Sequence, residues 1–201
     1  VLSCKYIIND DITVELPSES DIISETGAFV TTEASQNMCY CLDIGTTTIA
    51  LALVSLDNKE VVKVATCTNP QVAFGGDVIS RIDYCRQNGV DKLQKAVVGG
   101  VNKLINSLGN VGCNEMYVSG NTTMLHILFG ENPTSMGVAP YTPIFLNSKN
   151  IKGNDIGINC VDTIISLPCI SAFVGADLVA GLNFVGKPVD FNFSIAFLEY
   201  I

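Results

Sequence analysis

The stretch CLDIGTTTIALALV, residues 41–54, decides how the rest of the chain is read. Two runs of strand-forming residues flank Asp43, Gly45 and the consecutive threonines Thr46, Thr47 and Thr48. Gly45 lets the backbone turn tightly and come close to a ligand. The threonines offer hydroxyls and successive N–H groups, the parts of an anion nest. Asp43, at the end of the first run, is placed to hold Mg²⁺ through water, because Mg²⁺ keeps much of its hydration shell. An ordinary hairpin rich in β-branched residues would satisfy the same pattern. The neighbouring elements have to choose between hairpin and phosphate cradle.

Composition narrows the choice. The 201 residues are 48% apolar and 15% charged, a globular balance with enough mass for a substantial core. The net charge of −9 excludes a broad electrostatic grip on nucleic acid, so any anion must be held locally. No apolar run suggests a spanning helix and the start does not read as a secretory signal, so the expectation is a cytoplasmic protein with no membrane contact. The eight cysteines form no CxxC pair and sit beside apolar neighbours, which reads as buried free thiols.

Along the chain, residues 1–17 alternate like a strand-forming tail, and residues 18–38 are an acidic, Ser/Thr-rich linker. Strands follow at MCYCLDI, TIALALVSL and EVVKVATCT, the last two joined by a turn at Asp57-Asn58. A helical stripe begins near Gly76 with Val78, Ile79, Ile82 and Cys85, breaks at Asn88-Gly89, and resumes with Leu93, Val97, Val101, Leu104 and Leu108. EMYVSG reads as a buried parallel strand leading into the helix NTTMLHILFG. DTIISLPC reads as another strand and VGADLVAGLNFVG as another helix, with a final strand at FSIAFLEYI. The order is β-β-β-α-β-α-β-α: an α/β fold with three antiparallel strands and then two crossover units on a mixed sheet. By analogy this is a ribonuclease H-like lobe, the unit that occurs twice in sugar kinases, actin and heat-shock ATPases. Placed on the first turn of that order, residues 43–48 read as the phosphate cradle.

Three further segments carry polar groups at helix starts. Gly120, Asn121 and Thr122 open a helix whose free amides suit an anion, or whose first residue is simply a good cap. Asp77 follows Gly75-Gly76 as a cap paired with Arg81 one turn on, or as a group near phosphates that positions water or Mg²⁺. Asp177 repeats that device at the last helix. His126, the single histidine, sits on a mostly apolar helix and reads as packed, which leaves zinc and Ser-His-Asp chemistry without support.

Taken in order, DIGTTTIA, NPQVAFGGDVISRI, SGNTTMLHILFG, VAPYTP and FVGADLVAGL resemble the actin-like ATPase domain of the reductive activators of corrinoid proteins. The resemblance covers most of residues 39–185. The opening VLSCKYIINDDITVELP is similar to the end of the β-rich [2Fe–2S] ferredoxin domain that these activators carry, which would make Cys4 a remnant cluster ligand. The resemblance implies residues 1–17 as that remnant, 18–38 as linker and 39–201 as the first ATPase lobe, with a second lobe absent. It implies ATP and Mg²⁺ as cofactors, with the cluster belonging to the complete protein and not expected in this chain. Gly45, Thr46, Thr47, Thr48, Gly120, Asn121 and Thr122 would meet the nucleotide, Asp43 would meet Mg²⁺, and Asp43, Asp77 and Asp177 are the catalytic candidates. The partner would be a Co(II) corrinoid protein that accepts an electron from the cluster. Full-length relatives would be ATPases and this chain alone inactive. The other readings are a small-molecule kinase of the same superfold and a catalytically inactive one-lobed binding module.

Overall fold

The computed structural model describes residues 37–184, so the expected ferredoxin remnant with Cys4, nearly all of the linker and the final strand lie outside the described residues. The first three strands form an antiparallel meander: β1 (Met38–Ile44), β2 (Thr48–Ser55) and β3 (Glu60–Thr68). β1 pairs with β2 from Met38 opposite Ser55 to Ile44 opposite Ile49.

The helical stretch then divides as the Asn88-Gly89 break foretold, into α1 (Val78–Asn88) and α2 (Asp91–Ser107). Gly89 adopts φ 79° and its N–H closes α1 on the Cys85 carbonyl at 2.9 Å, a conformation that favours glycine. β4 (Cys113–Gly120) leads into the short α3 (Thr122–Leu128). A three-residue strand β5 (Asn150–Lys152) and a single turn α4 (Gly153–Ile156) follow, then β6 (Val161–Ser166) and α5 (Ala176–Phe184). The six strands make one mixed sheet in the order β3-β2-β1-β4-β6-β5. β4 runs parallel to both β1 and β6, while β5 closes the edge antiparallel to β6. Among the described residues no helix is long and apolar enough to cross a membrane.

The expected order therefore departs in two places: one helix is two, and β5 with α4 had no counterpart. Three residues carry no readable period, and β5 exists because Asn150, Ile151 and Lys152 find Ile165, Ile164 and Thr163 across the sheet.

Alternate side chains of the strands fill two cores. Leu42, Leu51 and Val118 lie on the face met by α2, whose Leu93, Val97, Val101, Leu104, Ile105 and Leu108 are buried as the stripe required. Cys39, Cys41, Ala52, Val54 and Val61 form the smaller cluster. Every described cysteine is a free thiol, and burial pushes that of Cys85 up to about 11. Leu104 is 0% exposed in the middle of α2. We expect Leu104→Ala to lower unfolding stability by about 3 kcal/mol, read as a shifted urea midpoint at unchanged slope.

Candidate functional site

The parallel register of β1 and β4 sets Ile44 opposite Gly120, so both strands end at one level. The β1–β2 turn and the β4–α3 turn therefore sit side by side at the carboxyl ends of the strands. A side chain on Gly120 would put its Cβ 3.0 Å from the Ile44 carbonyl oxygen. The segment leading into α5 closes on the same place. A Cβ on Gly175 would lie 2.5 Å from the Asn121 Cα and 2.8 Å from the Gly120 carbonyl oxygen. Three connections, after β1, β4 and β6, thus converge where open α/β sheets bind ligands.

Within this convergence the Gly45 N–H donates to the Thr48 carbonyl at 2.9 Å, closing the turn. A Cβ on Gly45 would meet that same oxygen at 2.7 Å, so the turn needs glycine here. Thr46 is half-buried, while Thr47 and Thr48 are exposed. Asn121 Nδ2 donates to Thr46 Oγ1 at 3.3 Å, and its Oδ1 caps α3 by accepting from the Met124 N–H at 3.0 Å. Thr122 is buried, and its hydroxyl donates to the Ser171 carbonyl at 2.6 Å. That hydroxyl holds the third connection rather than facing the turn.

Asp43 is half-buried at the end of β1, and Asp177 is exposed in the first turn of α5. Asp43 feels the charge of Asp177. Burial first, and the charge of Asp177 second, push Asp43 up to about 6 from an ordinary 3.8. Among the described residues no group of three or more His, Cys, Asp or Glu could hold a metal ion. A hydrated Mg²⁺ asks for less: one or two carboxylates and hydroxyl or phosphate oxygens, all hard donors. Asp43 and Asp177 fit that demand, because a cation between them would relieve their repulsion.

Asp77 caps its own helix. Its side chain accepts from the Ser80 N–H at 2.8 Å while Ser80 Oγ accepts from the Asp77 N–H at 3.2 Å, a reciprocal cap on α1. Those Ser80 contacts hold its carboxyl below the usual range, although it is exposed. The carboxylate is engaged by its own helix.

The residue that the sequence reading missed is Arg81. Read as the i,i+4 partner of Asp77, it turns inward instead and is 0% exposed. Its Nη2 donates to the Thr46 carbonyl at 2.6 Å, Nε to the Gly75 carbonyl at 2.9 Å, and Nη1 to Gln71 Oε1 at 3.1 Å. Asn69, also fully buried, donates through Nδ2 to the Gly45 carbonyl at 2.8 Å and through its backbone N–H to the Thr47 carbonyl at 2.7 Å. The signal was present in α1: the buried stripe runs Arg81, Ile82 and Cys85 beneath half-buried Val78, while Ile79, counted in that stripe from sequence, is 55% exposed.

His126 is packed, as its helix suggested. It is 0% exposed, its Nδ1 lies 2.7 Å from the Thr122 carbonyl, and Nε2 accepts from the Ile144 N–H at 3.0 Å. Those partners fix the neutral Nδ1–H tautomer, and burial holds its pKa below the ordinary value.

Comparison with known proteins follows this geometry. The RACo middle region family matches residues 38–186. The corrinoid activation enzyme RamQ of Eubacterium limosum is 32% identical over 158 residues, covering 74% of this chain and 26% of that protein. A solved structure titled reductive activator for corrinoid, iron–sulfur protein superposes with a TM-score of 0.72 at 32% identity, covering 77% of this chain and 26% of that one. The fold is thus that of a mixed α/β protein built on a six-stranded sheet, as found in a reductive activator. The chain belongs to the RACo middle region family, which bears out the resemblance carried by its motifs. It spans 26% of the length of each of these two relatives.

Two outcomes follow from the geometry. Gly175→Ala, which forces a Cβ against backbone at 2.5 Å, should displace the segment before α5 and lower stability by about 2 kcal/mol or more, checked by denaturant unfolding. Asp43 keeps its proton in the folded state up to about pH 6, whereas the unfolded chain releases it near 3.8. Stability from this group is therefore present below about pH 4 and lost as pH rises through about 6. Asp43→Asn should remove that dependence and leave the protein more stable at pH 7.5 by on the order of 2 kcal/mol, read from melting curves across pH.

Proposed function

We propose that this chain is the nucleotide-binding lobe of an ATP-dependent reductive activator of a corrinoid protein. The observation that carries the reading is the meeting of Asp43, the Gly45–Thr48 turn and Asp177 at the carboxyl ends of parallel strands. The names of the two relatives support the corrinoid assignment, since each is described as acting in corrinoid activation. In this reading the lobe is ribonuclease H-like, with an actin-like ATPase as the complete unit.

The residues divide the work. Thr46, Thr47 and Thr48 supply amides and hydroxyls to phosphate oxygens. Gly120 and Asn121 brace the turn from β4, and Thr122 ties that brace to the segment before α5. Asp43 and Asp177 would hold hydrated Mg²⁺, which would supply positive charge to the phosphates. Asp77 fixes the start of α1 and acts on the site through that helix. Phosphoryl transfer to water then rests on positioning and charge stabilisation. ATP turnover would favour the conformation in which an electron passes from a [2Fe–2S] cluster elsewhere in the complete protein to the Co(II) corrinoid of the partner.

The test uses a full-length protein that carries this lobe together with its cluster domain. Asp43→Ala should abolish ATP-driven corrinoid reduction, by about a hundredfold or more, while the cluster absorbance stays intact. Loss of the cluster spectrum, or retained reduction, would remove Asp43 from the role assigned here.

A further inference from the structure

A guanidinium lies beneath the β1–β2 turn in a protein of net charge −9, fully buried and hydrogen-bonded to two carbonyls and an amide oxygen rather than to a carboxylate. The third donor nitrogen, Nη1, also lies 3.1 Å from Met124 Sδ in α3. Arginine stays protonated even when burial opposes it, so a full positive charge sits one hydrogen bond below Thr46.

The directions of the peptide groups add a second consequence. The carbonyls of Gly45, Thr46 and Thr47 are held by Asn69 Nδ2, Arg81 Nη2 and the Asn69 N–H. In a planar trans peptide the N–H of the next residue points opposite to the carbonyl. Fixing three successive carbonyls inward therefore turns the amides of Thr46, Thr47 and Thr48 away from the buried donors. Consecutive amides of such a turn are the parts of an anion site.

Resting on the nucleotide reading above, we propose that Arg81 is a positioning residue for phosphate: with Asn69, it holds the Gly45–Thr48 turn in its anion-binding form. Gln71 extends the same scaffold, since its Nε2 donates to the Leu93 carbonyl of α2 at 3.3 Å. The turn is thereby fastened to α1, α2 and α3 rather than to β1 and β2 alone.

The experiment titrates magnesium pyrophosphate into the chain and follows amide resonances by NMR. In the wild type, Thr46, Thr47 and Thr48 should shift on binding. Arg81→Gln should weaken the affinity of the folded protein by about tenfold or more, and Arg81→Lys, which keeps charge with fewer donors, should recover part of it. A role confined to packing would lower the melting temperature without moving the affinity of the folded fraction. Unresponsive amides in the wild type would overturn the phosphate cradle and the role of Arg81 with it. Responsive amides with equal affinity in Arg81→Gln would overturn the role of Arg81 alone and leave the cradle standing. Should Arg81→Gln not fold, the wild-type Arg81 Nε–H resonance decides: it should move with the same midpoint as the three amides, and a stationary signal overturns the proposal.

Discussion

The geometry of this lobe hangs on a buried cation. An unpaired ion inside a protein is strongly unfavourable unless its donors are satisfied. Arg81 meets that condition with oxygen atoms from three pieces of chain: the β1–β2 turn, the Gly75 bend before α1, and the Gln71 segment that also reaches α2. None of these acceptors is an acid. The arrangement can therefore exist only when the turn, the bend and the segment are in place together. Burial draws the guanidinium below its ordinary pKa, with the charge of Asp77 opposing that fall. The net result is a polar knot under the one turn of the sheet that carries the Asp-x-Gly-Thr sequence.

Above the knot the opposite condition holds. Asp43 is half-buried, faces the charge of Asp177, and is pushed up to about 6. A fold selected for stability alone would place asparagine or serine there, and relief of such strain commonly stabilises a protein while removing function. The same sheet register that sets Ile44 against Gly120 makes this crowding unavoidable, because it brings the ends of β1 and β4 to one level and admits the Gly175 segment beside them. Close approach is obtained with glycine at each contact, and charge is concentrated where the backbones meet.

Much of this was legible in the residues and some was not, for reasons that differ by element. The meander β1–β3 and the stripe of α2 follow from period and turn chemistry, and Leu93, Val97 and Leu104 are all buried. β5 and α4 are too short to have a period; pairing to β6 makes the former. In α1 the stripe Val78, Ile82 and Cys85 was legible, but Ile79 was added to it and Arg81 left out, because Ile79 looks like core and Arg81 does not. Hydropathy alone ranks them in that order, whereas the helix geometry puts Arg81 with Ile82 and Cys85. Asn69 and Gln71 were hidden for the same reason, being polar residues whose burial depends on partners distant in sequence. Asp43 and the threonines could be seen because their turn is local. The alignment of Asp177 with Asp43 required the folded sheet.

On the proposed reading, an acidic protein would have to attract polyphosphate locally, and the structure offers two means of doing so. One is permanent: the buried guanidinium and the amides turned outward by Asn69 and Arg81. The other would arrive with the ligand, as Mg²⁺ relieving the repulsion that Asp177 exerts on Asp43. Neither depends on the net charge of the surface, since exposed charges more than about 8–10 Å away are largely screened at physiological salt. The two also act in opposite senses on the resting protein. On that reading the cation would organise the turn before any ligand is present, while the carboxylates would hold the site in an unfavourable charge state until a metal is bound. On the proposed reading, a nucleotide carrying Mg²⁺ would find a turn already shaped and a repulsion to relieve, and the difference in free energy between empty and filled states would reside at the carboxyl edge of β1 and β4.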